Sequence, residues 1–450
     1  MVVLIVLLVL YIIQIALIMI LERKRPSKAV AWMVLMFICP FISLIAYFFI
    51  AKQYRRSIQE KLKIESLTTE YPISGWTDDN EVQVWSDGNA FFDALYQAIE
   101  QAKTSILFQF YIINDDVSGR RFEQILSSKA KQGVQVKVLY DGLGSSKLTK
   151  EYINRIQASG VEIYAFLPVI TSLFKRKINY RNHRKNVVID GVIGFMGGFN
   201  IGDEYVGGDS KLGYWRDTHL QITGGAVSYL QQLFQIDWEL ASGKQLSFVM
   251  PQEDMEKSAD SGHMTESQAK ASIQLVTSTP SLIDDVIYET YLDVITSAQH
   301  KLYIETPYFI PDEGMKTALK IAVKKGVDVR IILPSISDHA LVQWATMSFV
   351  EDILLHGIRV YQYEAGFLHA KVMIIDDKAI VGTANFDVRS FYNNFEINAT
   401  IIDEQVTNRL LDDFYQDMSG SLELNLAEYR QRPLMVKMRQ SFVRMIAPLF

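Results

Sequence analysis

The sequence has little cysteine, few charged residues near its start, and no excess of positive charge. The 450-residue chain has one cysteine, Cys39, so neither an intramolecular disulfide nor a multi-cysteine metal site can form. Charged residues make up 21% of the chain, below the roughly 25% usual for soluble proteins, and few lie in the first 50 residues. The net charge of −6 argues against general binding to nucleic acid. Hydrophobic residues make up 49%, which excludes global disorder.

The N-terminal part contains two long apolar runs. Residues 1–20 carry no charged side chain, and a helix of this length spans about 30 Å, the thickness of the hydrocarbon core of a membrane. Residues 29–50 form a second uncharged run that contains Pro40. The sequence therefore predicts a two-span transmembrane hairpin over residues 1–56. A signal peptide fits less well, because no basic segment precedes the first run and no cleavage site follows it.

Basic residues lie on both sides of the second run. Those in the link and after the run are Arg23, Lys24, Arg25, Lys28, Lys52, Arg55, Arg56, Lys61 and Lys63. Because cytoplasmic flanks carry the excess of positive charge, their near balance favours a cytoplasmic location for the rest of the chain only slightly. We expect a multi-pass protein of the cell membrane.

The rest of the chain contains one unit twice. KQGVQVKVLYD from Lys131 matches KKGVDVRIILP from Lys324, and ASGVEIYAF matches LHGIRVYQY in the same order. Strand-like runs alternate with amphipathic helical stretches, which predicts the α/β class with two similar domains packed as a pseudo-dimer. The predicted parts are a first domain at 57–250, a polar linker at 251–272, a second domain at 273–425 and a basic amphipathic tail at 426–450.

The tail alternates basic and apolar residues, and two interpretations of it stay open. It is either a terminal helix docked on the protein or a helix lying on an anionic bilayer. The basic residues of the tail are Arg430, Arg432, Lys437, Arg439 and Arg444.

Each repeat ends in the same chemical pattern. The two versions are His183-x-Lys185-x4-Asp190 followed by Gly197-Gly198-x-Asn200, and His369-x-Lys371-x4-Asp376 followed by Gly382-Thr383-x-Asn385. Residues i and i+2 of a strand project to one face, so the histidine and lysine of each copy point into one pocket. Two imidazoles, two ammonium groups and two amides around one point suit a phosphoryl group, with one imidazole as nucleophile and the other as general acid/base.

The second copy is one residue shorter between the aspartate and the glycine. Asp190 and Gly197 are seven positions apart, whereas Asp376 and Gly382 are six apart. A one-residue change flips the register of a strand unless a turn or bulge absorbs it. We expect the turn to absorb it, and the alternative is a displaced Asn385.

This constellation resembles the phospholipase D superfamily, whose paired HxKxxxxD motifs are highly specific. The whole chain is similar to the bacterial cardiolipin synthases of that superfamily, through ERKRPSKAVAW, YWRDTHLQITG and GTANFDVRSFYNNFE. The resemblance implies phosphatidyl transfer between two phosphatidylglycerol molecules, giving cardiolipin and glycerol through a phosphohistidine. Hydrolysis of membrane phospholipids is the alternative function.

The resemblance also implies a role for each site residue. His183 is the nucleophile and His369 the acid/base, although the near symmetry of the copies leaves the reverse open. Asp190 and Asp376 complete the catalytic motifs, and closing the adjoining turns is their preferred role. The remaining residues are the His-orienting Asp217 and Glu396, and the phosphate-binding Lys185, Lys371, Asn200, Asn385, Gly198 and Thr383.

Further candidates are weaker. His219 lies two positions from Asp217 on one strand face, and His339 lies near a possible substrate entrance, where helix capping by Asp338 is the preferred interpretation. Tyr111, Tyr308 and Phe309 border the pocket or pack in the core. We expect no metal and no cofactor. The expected partners are phosphatidylglycerol and anionic membrane lipid, without nucleic acid, and the oligomeric state stays open.

Overall fold

A computed structural model describes residues 2–22, 26–47, 75–169, 172, 179–246, 270–280 and 285–449. Residues 251–269 of the predicted linker lie outside the described residues, as do most of the basic residues that flank the second apolar run. The N-terminal part forms α1 (Val2–Leu21), α2 (Pro26–Ile38) and α3 (Pro40–Ala46).

The N-terminal helices pack around a small cluster. The rings of Trp32 and Tyr47 meet edge to face with centroids 5.3 Å apart, and Leu449 of the C-terminal end packs against this cluster. Over the residues that the structure describes, no helix combines the length and the apolar character needed to cross a membrane. The two-span hairpin therefore stays a prediction.

The first repeat forms one set of elements. They are β1 (Trp76–Asp87), α4 (Gly88–Gln101), β2 (Ser105–Phe110), α5 (Val117–Lys131), β3 (Gln135–Asp141), α6 (Lys150–Ala158), β4 (Glu162–Phe166), β5 (Arg181–Asn182), β6 (Asn186–Ile189), β7 (Ile193–Gly197), β8 (Tyr214–Thr223) and α7 (Ala226–Ser242).

The second repeat forms the matching set and adds the C-terminal helices. They are β9 (Ala271–Ser278), α8 (Val286–Ser297), β10 (Lys301–Glu305), β11 (Phe309–Ile310), α9 (Glu313–Lys324), β12 (Asp328–Pro334), α10 (Ala340–Leu355), β13 (Arg359–Tyr363), β14 (Gly366–Leu368), β15 (Val372–Ile375), β16 (Lys378–Gly382), β17 (Phe386–Asp387), α11 (Val388–Tyr392), β18 (Asn394–Ile402), α12 (Glu404–Ser419), β19 (Ser421–Glu423), α13 (Leu426–Arg430) and α14 (Leu434–Ile446).

The two halves build sheets of the same order. The first is β4-β3-β2-β6-β7-β8-β1, and the second is β13-β12-β10-β15-β16-β18-β9, with β19 added beyond β13. In each sheet the three strands at one end run parallel and the remaining neighbours antiparallel. β1 also pairs with β9, which joins the sheets edge to edge. The predicted α/β class with two similar domains is confirmed.

The central core lies between the two sheets. It combines side chains of both sheets with those of α7 and α12, whereas the other helices of each half cover its outer face in separate clusters. A glycine ends the helix before the parallel strand in each half: Gly133 after α5 and Gly326 after α9 have φ values of 92° and 91°. A left-handed residue at this position ends a helix at little steric cost when it is glycine.

The C-terminal tail is a docked helix with an apolar outer face. α14 packs against α10 and α2. Arg432 pairs with Glu351 of α10, and the guanidinium of Arg439 lies 4.5 Å from the ring centre of Trp344. Val443 of the helix is buried, whereas Leu434 and Met435 are 70% and 69% exposed. The helix therefore docks through apolar as well as basic side chains and leaves other apolar side chains uncovered.

Candidate active site

His183 follows β5, a two-residue strand that pairs outside its own half. β5 runs parallel to β18 of the second half, and the N–H of His183 donates to the carbonyl of Phe395 at 2.9 Å. This pairing brings the imidazole to Glu396, whose carboxylate oxygens lie 2.9 and 3.1 Å from Nδ1. The carboxylate that orients the first histidine thus belongs to the second copy.

His369 is held by the reciprocal arrangement. β14, directly before it, runs parallel to β8 of the first half, and the N–H of His369 donates to the carbonyl of Arg216 at 2.7 Å. Its Nδ1 lies 2.6 Å from a carboxylate oxygen of Asp217. The structure therefore brings both predicted pairs together across the two halves, a crossing that sequence spacing does not reveal.

The pKa values of both carboxylates and of both imidazoles lie below their usual values. Burial raises the pKa of Glu396, but His183, Lys185 and Thr383 together outweigh it and hold that pKa low; Lys371, His369 and the N–H of Thr218 do the same for the pKa of Asp217. Burial lowers the pKa of His183 and of His369 to about 4. An ionised carboxylate only accepts hydrogen bonds, so Nδ1 carries the proton in each ring and Nε2 holds a lone pair.

The two lysines lie beneath the imidazoles. The ammonium of Lys185 donates to the carbonyl of His183 at 2.7 Å, and that of Lys371 donates to the carbonyl of His369. Burial lowers the pKa of Lys185 to about 7 and that of Lys371 to about 8, and the charge of Lys371 acts in the same direction on Lys185. The two ammonium charges repel each other, which favours the neutral form of Lys185.

The histidines differ in what surrounds Nε2. The nitrogen of Lys371 lies 2.8 Å from Nδ1 and 3.1 Å from Nε2 of His369, so the ammonium lies against this ring. Within the part of the chain that the structure describes, Nε2 of His183 has no hydrogen-bond partner, and the rings of Tyr111 and His183 meet edge to face with centres 4.9 Å apart. The lone pair of His183 is therefore the freer of the two.

Gly198 and Thr383 occupy matching positions after the turns. A side-chain carbon on Gly198 would lie 1.8 Å from a carboxylate oxygen of Asp217, so glycine gives this carboxylate its space. The hydroxyl of Thr383 accepts from the N–H of Ile397 at 2.9 Å, and its carbonyl lies 3.1 Å from Nδ1 of His183. Both residues support a histidine–carboxylate pair by direct contact.

The two asparagines are buried at the ends of the same loops. The amide oxygen of Asn200 accepts from the N–H of Ile112 at 3.1 Å, and its amide nitrogen lies 3.3 Å from the hydroxyl of Tyr205. The amide oxygen of Asn385 is buried without a partner among the described residues. Their binding of phosphate stays a prediction.

Asp190 and Asp376 lie at the far ends of β6 and β15. The carboxylate of Asp190 accepts from the N–H groups of residues 103–105 at 2.7–2.9 Å, and that of Asp376 accepts from those of residues 299–301 at 2.9–3.0 Å. Both have positive φ, 54° and 50°. Each aspartate thus closes its turn and fixes the start of the neighbouring strand, β2 or β10, without contacting the imidazoles.

The shorter second copy keeps the register of the first. Ile189 pairs with Ile193 around a three-residue turn, whereas Ile375 pairs with Lys378 around a two-residue turn. The N–H of Gly382 donates to the carbonyl of Lys371 at 3.3 Å, so the glycine stays opposite the lysine. The expectation that the turn absorbs the missing residue is confirmed.

His219 lies outside the pocket. It is fully buried and stacks on Phe91 with ring centres 4.1 Å apart, and burial lowers the pKa of its imidazole to about 3. Phe309 is also fully buried in the core. In contrast, Tyr308 meets the His369 ring edge-on, with centres 6.4 Å apart.

The capping role that the sequence suggested for Asp338 is wrong. α10 begins after His339, which makes no side-chain cap bond. The carboxylate of Asp338 instead accepts from the hydroxyl of Tyr308. This carboxylate therefore binds the tyrosine hydroxyl and not the backbone N–H groups at the start of α10.

Two buried arginines, which sequence reasoning did not select, lie behind the carboxylates. Arg184 donates to Asp237 at 2.6 Å and to the carbonyl of Glu396 at 3.2 Å. Arg216 donates to Asp417 at 2.7 Å, and its guanidinium also donates to the carbonyl of Asp217. Each arginine links a segment that carries site residues to a helix of the central core, which is α7 for Arg184 and α12 for Arg216. The alternation of strand faces places Arg184 behind the pocket, but its partners depend on tertiary packing.

No group of three or more histidine, cysteine, aspartate or glutamate side chains with metal-binding geometry occurs among the described residues. The arrangement that is present brings together two imidazoles, two buried amines and two carboxylates from both halves, and the charge of Lys371 in the second half helps to lower the pKa of His183 and of Lys185 in the first. Such a set can bind an anionic phosphoryl group and move one proton at each imidazole.

The comparisons with known proteins agree with one another. The family model described as cardiolipin synthase, PLD-like domain matches residues 95–238 and 291–418. The chain is 38% identical to a cardiolipin synthase of Oceanobacillus iheyensis and 37% identical to the major cardiolipin synthase ClsA of Bacillus subtilis, covering 95% of both chains in each case.

A solved structure shows the same fold. The crystal structure of a phosphatidylserine synthase from Haemophilus influenzae superposes with a TM-score of 0.65 at 16% identity, covering 86% of this chain and 100% of that one. The match of both repeats to one family model, together with near-full-length relatives, shows that the chain belongs to the cardiolipin synthase family of phospholipase D-like phosphatidyltransferases.

Proposed function

We propose that the protein makes cardiolipin and glycerol from two molecules of phosphatidylglycerol by phosphatidyl transfer. The observation that carries this proposal is the crosswise pair of histidine–carboxylate contacts, 2.9 Å for His183 and 2.6 Å for His369. One pocket thereby holds two imidazoles that are oriented alike but supplied by different halves. A two-step transfer at phosphorus needs one nucleophile and one proton carrier, which is this set.

His183 is the proposed nucleophile. Its Nε2 attacks phosphorus, a P–N bond forms, and the P–O bond to the leaving glycerol breaks. The imidazole gains positive charge in this step, and the ionised Glu396, 2.9 Å from Nδ1, stabilises it. The partner-free Nε2 among the described residues supports this assignment over the reverse one.

His369 is the proposed acid/base. The bound phosphodiester anion favours the charged imidazolium, so His369 takes up a proton from solvent when the donor binds and gives it to the departing glycerol oxygen. It then takes the proton from the hydroxyl of the second phosphatidylglycerol, whose oxygen attacks phosphorus and breaks the P–N bond. Asp217, 2.6 Å from Nδ1, stabilises the imidazolium between these events.

Lys185 and Lys371 are the proposed partners of the phosphate oxygens. Burial keeps the pKa of their ammonium groups at about 7 and about 8 in the free protein. A bound phosphodiester anion favours the charged form, so binding of the substrate raises both pKa values. The same phosphate oxygens, or the groups around them, are the proposed contacts of four further residues: Asn200, Asn385, Gly198 and Thr383.

We propose no metal or cofactor, because the two ammonium groups supply the positive charge that the phosphoryl oxygens require. Turnover by the purified protein is expected to be unchanged by a chelator of divalent cations. A loss of turnover that added Mg²⁺ or Ca²⁺ restores would contradict this part of the proposal.

The proposed location is the cell membrane, with the N-terminal hairpin as anchor and the catalytic halves on the cytoplasmic side. Exposed apolar side chains on the N-terminal helices support contact with lipid: Phe37 is 81% exposed and Ile42 is 72% exposed. The exposed face of α14 supports a second contact, because α14 packs on α2. Anionic lipid is the expected partner, because phosphatidylglycerol is both the proposed substrate and a component of the membrane surface.

Lipid products from the purified full-length protein test the function. Labelled phosphatidylglycerol in mixed micelles is expected to give cardiolipin and free glycerol in equal amounts. Phosphatidic acid with glycerol as the main products would favour the alternative, a phospholipase D-type hydrolase that passes the phosphatidyl group to water. The variant His183→Ala is the matched control, and it should give neither set of products.

A further inference from the structure

We propose that Asp338, together with Tyr308, binds the glycerol hydroxyls of phosphatidylglycerol on the His369 side of the pocket and so favours a polyol over other acceptors. This inference rests on the proposed function and adds a specificity site to it. The catalytic set itself acts on phosphorus, so it does not select the alcohol.

Asp338 is positioned by a strand and a tyrosine. It lies between the end of β12 and the start of α10. The hydroxyl of Tyr308 donates to its carboxylate, with the two oxygens at 2.6 and 2.7 Å. The same tyrosine meets the ring of His369 edge-on, with centres 6.4 Å apart. One aromatic side chain therefore separates the carboxylate from the proposed acid/base.

The carboxylate of Asp338 is open to an incoming group. Its side chain is 26% exposed, and among the described residues no lysine or arginine forms an ion pair with it. Its other neighbours are the hydroxyl of Ser337 at 3.2 Å and the ring of His339 at 3.7 Å, and that ring is itself 69% exposed. Lone pairs thus remain available on both carboxylate oxygens.

A negative charge at this place is unfavourable for phosphate and favourable for hydroxyl groups. Carboxylates repel the phosphodiester anion, but they form strong charge-assisted hydrogen bonds with hydroxyl donors. Phosphatidylglycerol carries two hydroxyls on its headgroup, whereas its phosphate belongs beside the lysines. The charge of Asp338 therefore fits the end of the headgroup that lies away from phosphorus.

The position of the first half that corresponds to Asp338 holds no carboxylate. The repeat aligns KVLYD of β3 with RIILP of β12, so Asp141 matches Pro334 and Ser145 matches Asp338. Ser145 is 3% exposed, and its hydroxyl accepts from the N–H of Ile113 and donates to the carbonyl of Tyr111, both at 3.0 Å. The described part of the first half therefore has no equivalent of the proposed site at this position.

The one-sided location fits the chemistry of both steps. The group that protonates the leaving glycerol is the group that deprotonates the attacking hydroxyl. Both glycerol headgroups therefore bind beside His369, one after the other, in the same place. A single hydroxyl-binding site serves the departing and the entering alcohol.

Competition between two alcohols in the reverse reaction tests the proposal. The full-length protein in mixed micelles receives unlabelled cardiolipin as donor and equal concentrations of labelled glycerol and labelled 1-propanol as acceptors. Each transfer from cardiolipin also releases one unlabelled phosphatidylglycerol, so the ratio of labelled phosphatidylglycerol to labelled phosphatidylpropanol is measured. Asp338→Asn is expected to lower this ratio about five- to tenfold, because a neutral hydrogen bond, roughly half as strong, replaces a charge-assisted one. Asp293→Asn, an exposed change on α8, is the matched control and should leave the ratio unaltered.

The ratio is internal to each sample, so partial loss of folded protein does not affect it. Tyr308→Phe provides a second variant, which keeps the carboxylate of Asp338 but removes the hydroxyl that holds it in place. A smaller fall in the ratio is expected for this variant. An unchanged ratio in Asp338→Asn, or an equal fall of both products, would overturn the proposal. If the unaltered protein forms neither product from cardiolipin while its fold is intact, the proposed function itself fails.

Discussion

Replacing Glu396 with glutamine tests the role of His183 separately from that of His369. Asn394 donates its amide N–H to one oxygen of Glu396 at 3.0 Å, while the other oxygen lies 2.9 Å from Nδ1 of His183. In Glu396→Gln the new amide oxygen stays with Asn394, so the NH2 group faces Nδ1. A donor on this side of Nδ1 favours the tautomer with the ring proton on Nε2, where it blocks the attacking lone pair, whereas the carbonyl of Thr383 at 3.1 Å still favours the proton on Nδ1.

Two effects set the magnitude. Loss of the negative charge weakens the bond to the imidazolium by about 1–2 kcal/mol, which is roughly 5- to 30-fold in rate. The wrong tautomer adds to this, and a comparable carboxylate-to-amide change beside a catalytic histidine costs about 10⁴-fold. We expect formation of the phosphatidyl-enzyme to slow by about 10²- to 10⁴-fold.

An activated donor makes this step visible. A phosphatidyl ester of p-nitrophenol needs no protonation of its leaving group, so a burst of p-nitrophenol reports attack by the nucleophile alone. Glu396→Gln should lose the burst, whereas the matched variant Asp217→Asn, on the other imidazole, should retain it and then turn over slowly. The opposite pattern would refute the assignment of His183 as nucleophile.

The remaining predictions concern pH, the turns and the tail. The p-nitrophenyl donor needs a neutral His183 and charged lysines but no proton from His369, so kcat/KM for that donor should fall below about pH 4, the pKa of His183, and above the lysine pKa values of about 7 and about 8. Lys185→Arg keeps its charge at high pH, so its alkaline limb should move upward; a limb that does not move would assign it to another group. Asp190→Ala leaves three backbone N–H groups without their acceptor, so the free energy of unfolding should fall by about 1–3 kcal/mol in urea titrations. Turnover per folded molecule should fall far less than in His183→Ala, and an equal loss would indicate a role in the chemistry. Met438→Glu, at a position 58% exposed, should weaken binding to phosphatidylglycerol vesicles about tenfold while turnover of a short-chain, soluble donor is unchanged, and undiminished vesicle binding would argue against lipid contact by α14.

The sequence predicted the parts of the site that depend on local rules. Strand alternation placed each lysine beside its histidine and Arg184 behind the pocket, because side chains two apart share a face. The missing residue near Asp377 was correctly assigned to a turn, because a slipped register would turn every side chain of β16 around. These predictions need only the geometry of one strand and its neighbour.

The sequence could not predict which half supplies each partner. A carboxylate near a histidine is expected from its chemistry, but the choice of half depends on β5 and β14, short strands with no periodicity of their own. Asp338 shows the same limit, because an aspartate just before a helix is typical of a cap and its real partner, Tyr308, lies 30 positions away. Tertiary packing decides both cases.

The crosswise strands make the two halves chemically interdependent. A protein cut in the region between them would yield one fragment with His183 but no Glu396, and another with His369 but no Asp217. Neither piece alone would hold a correctly oriented imidazole, yet the two could restore the centre by associating.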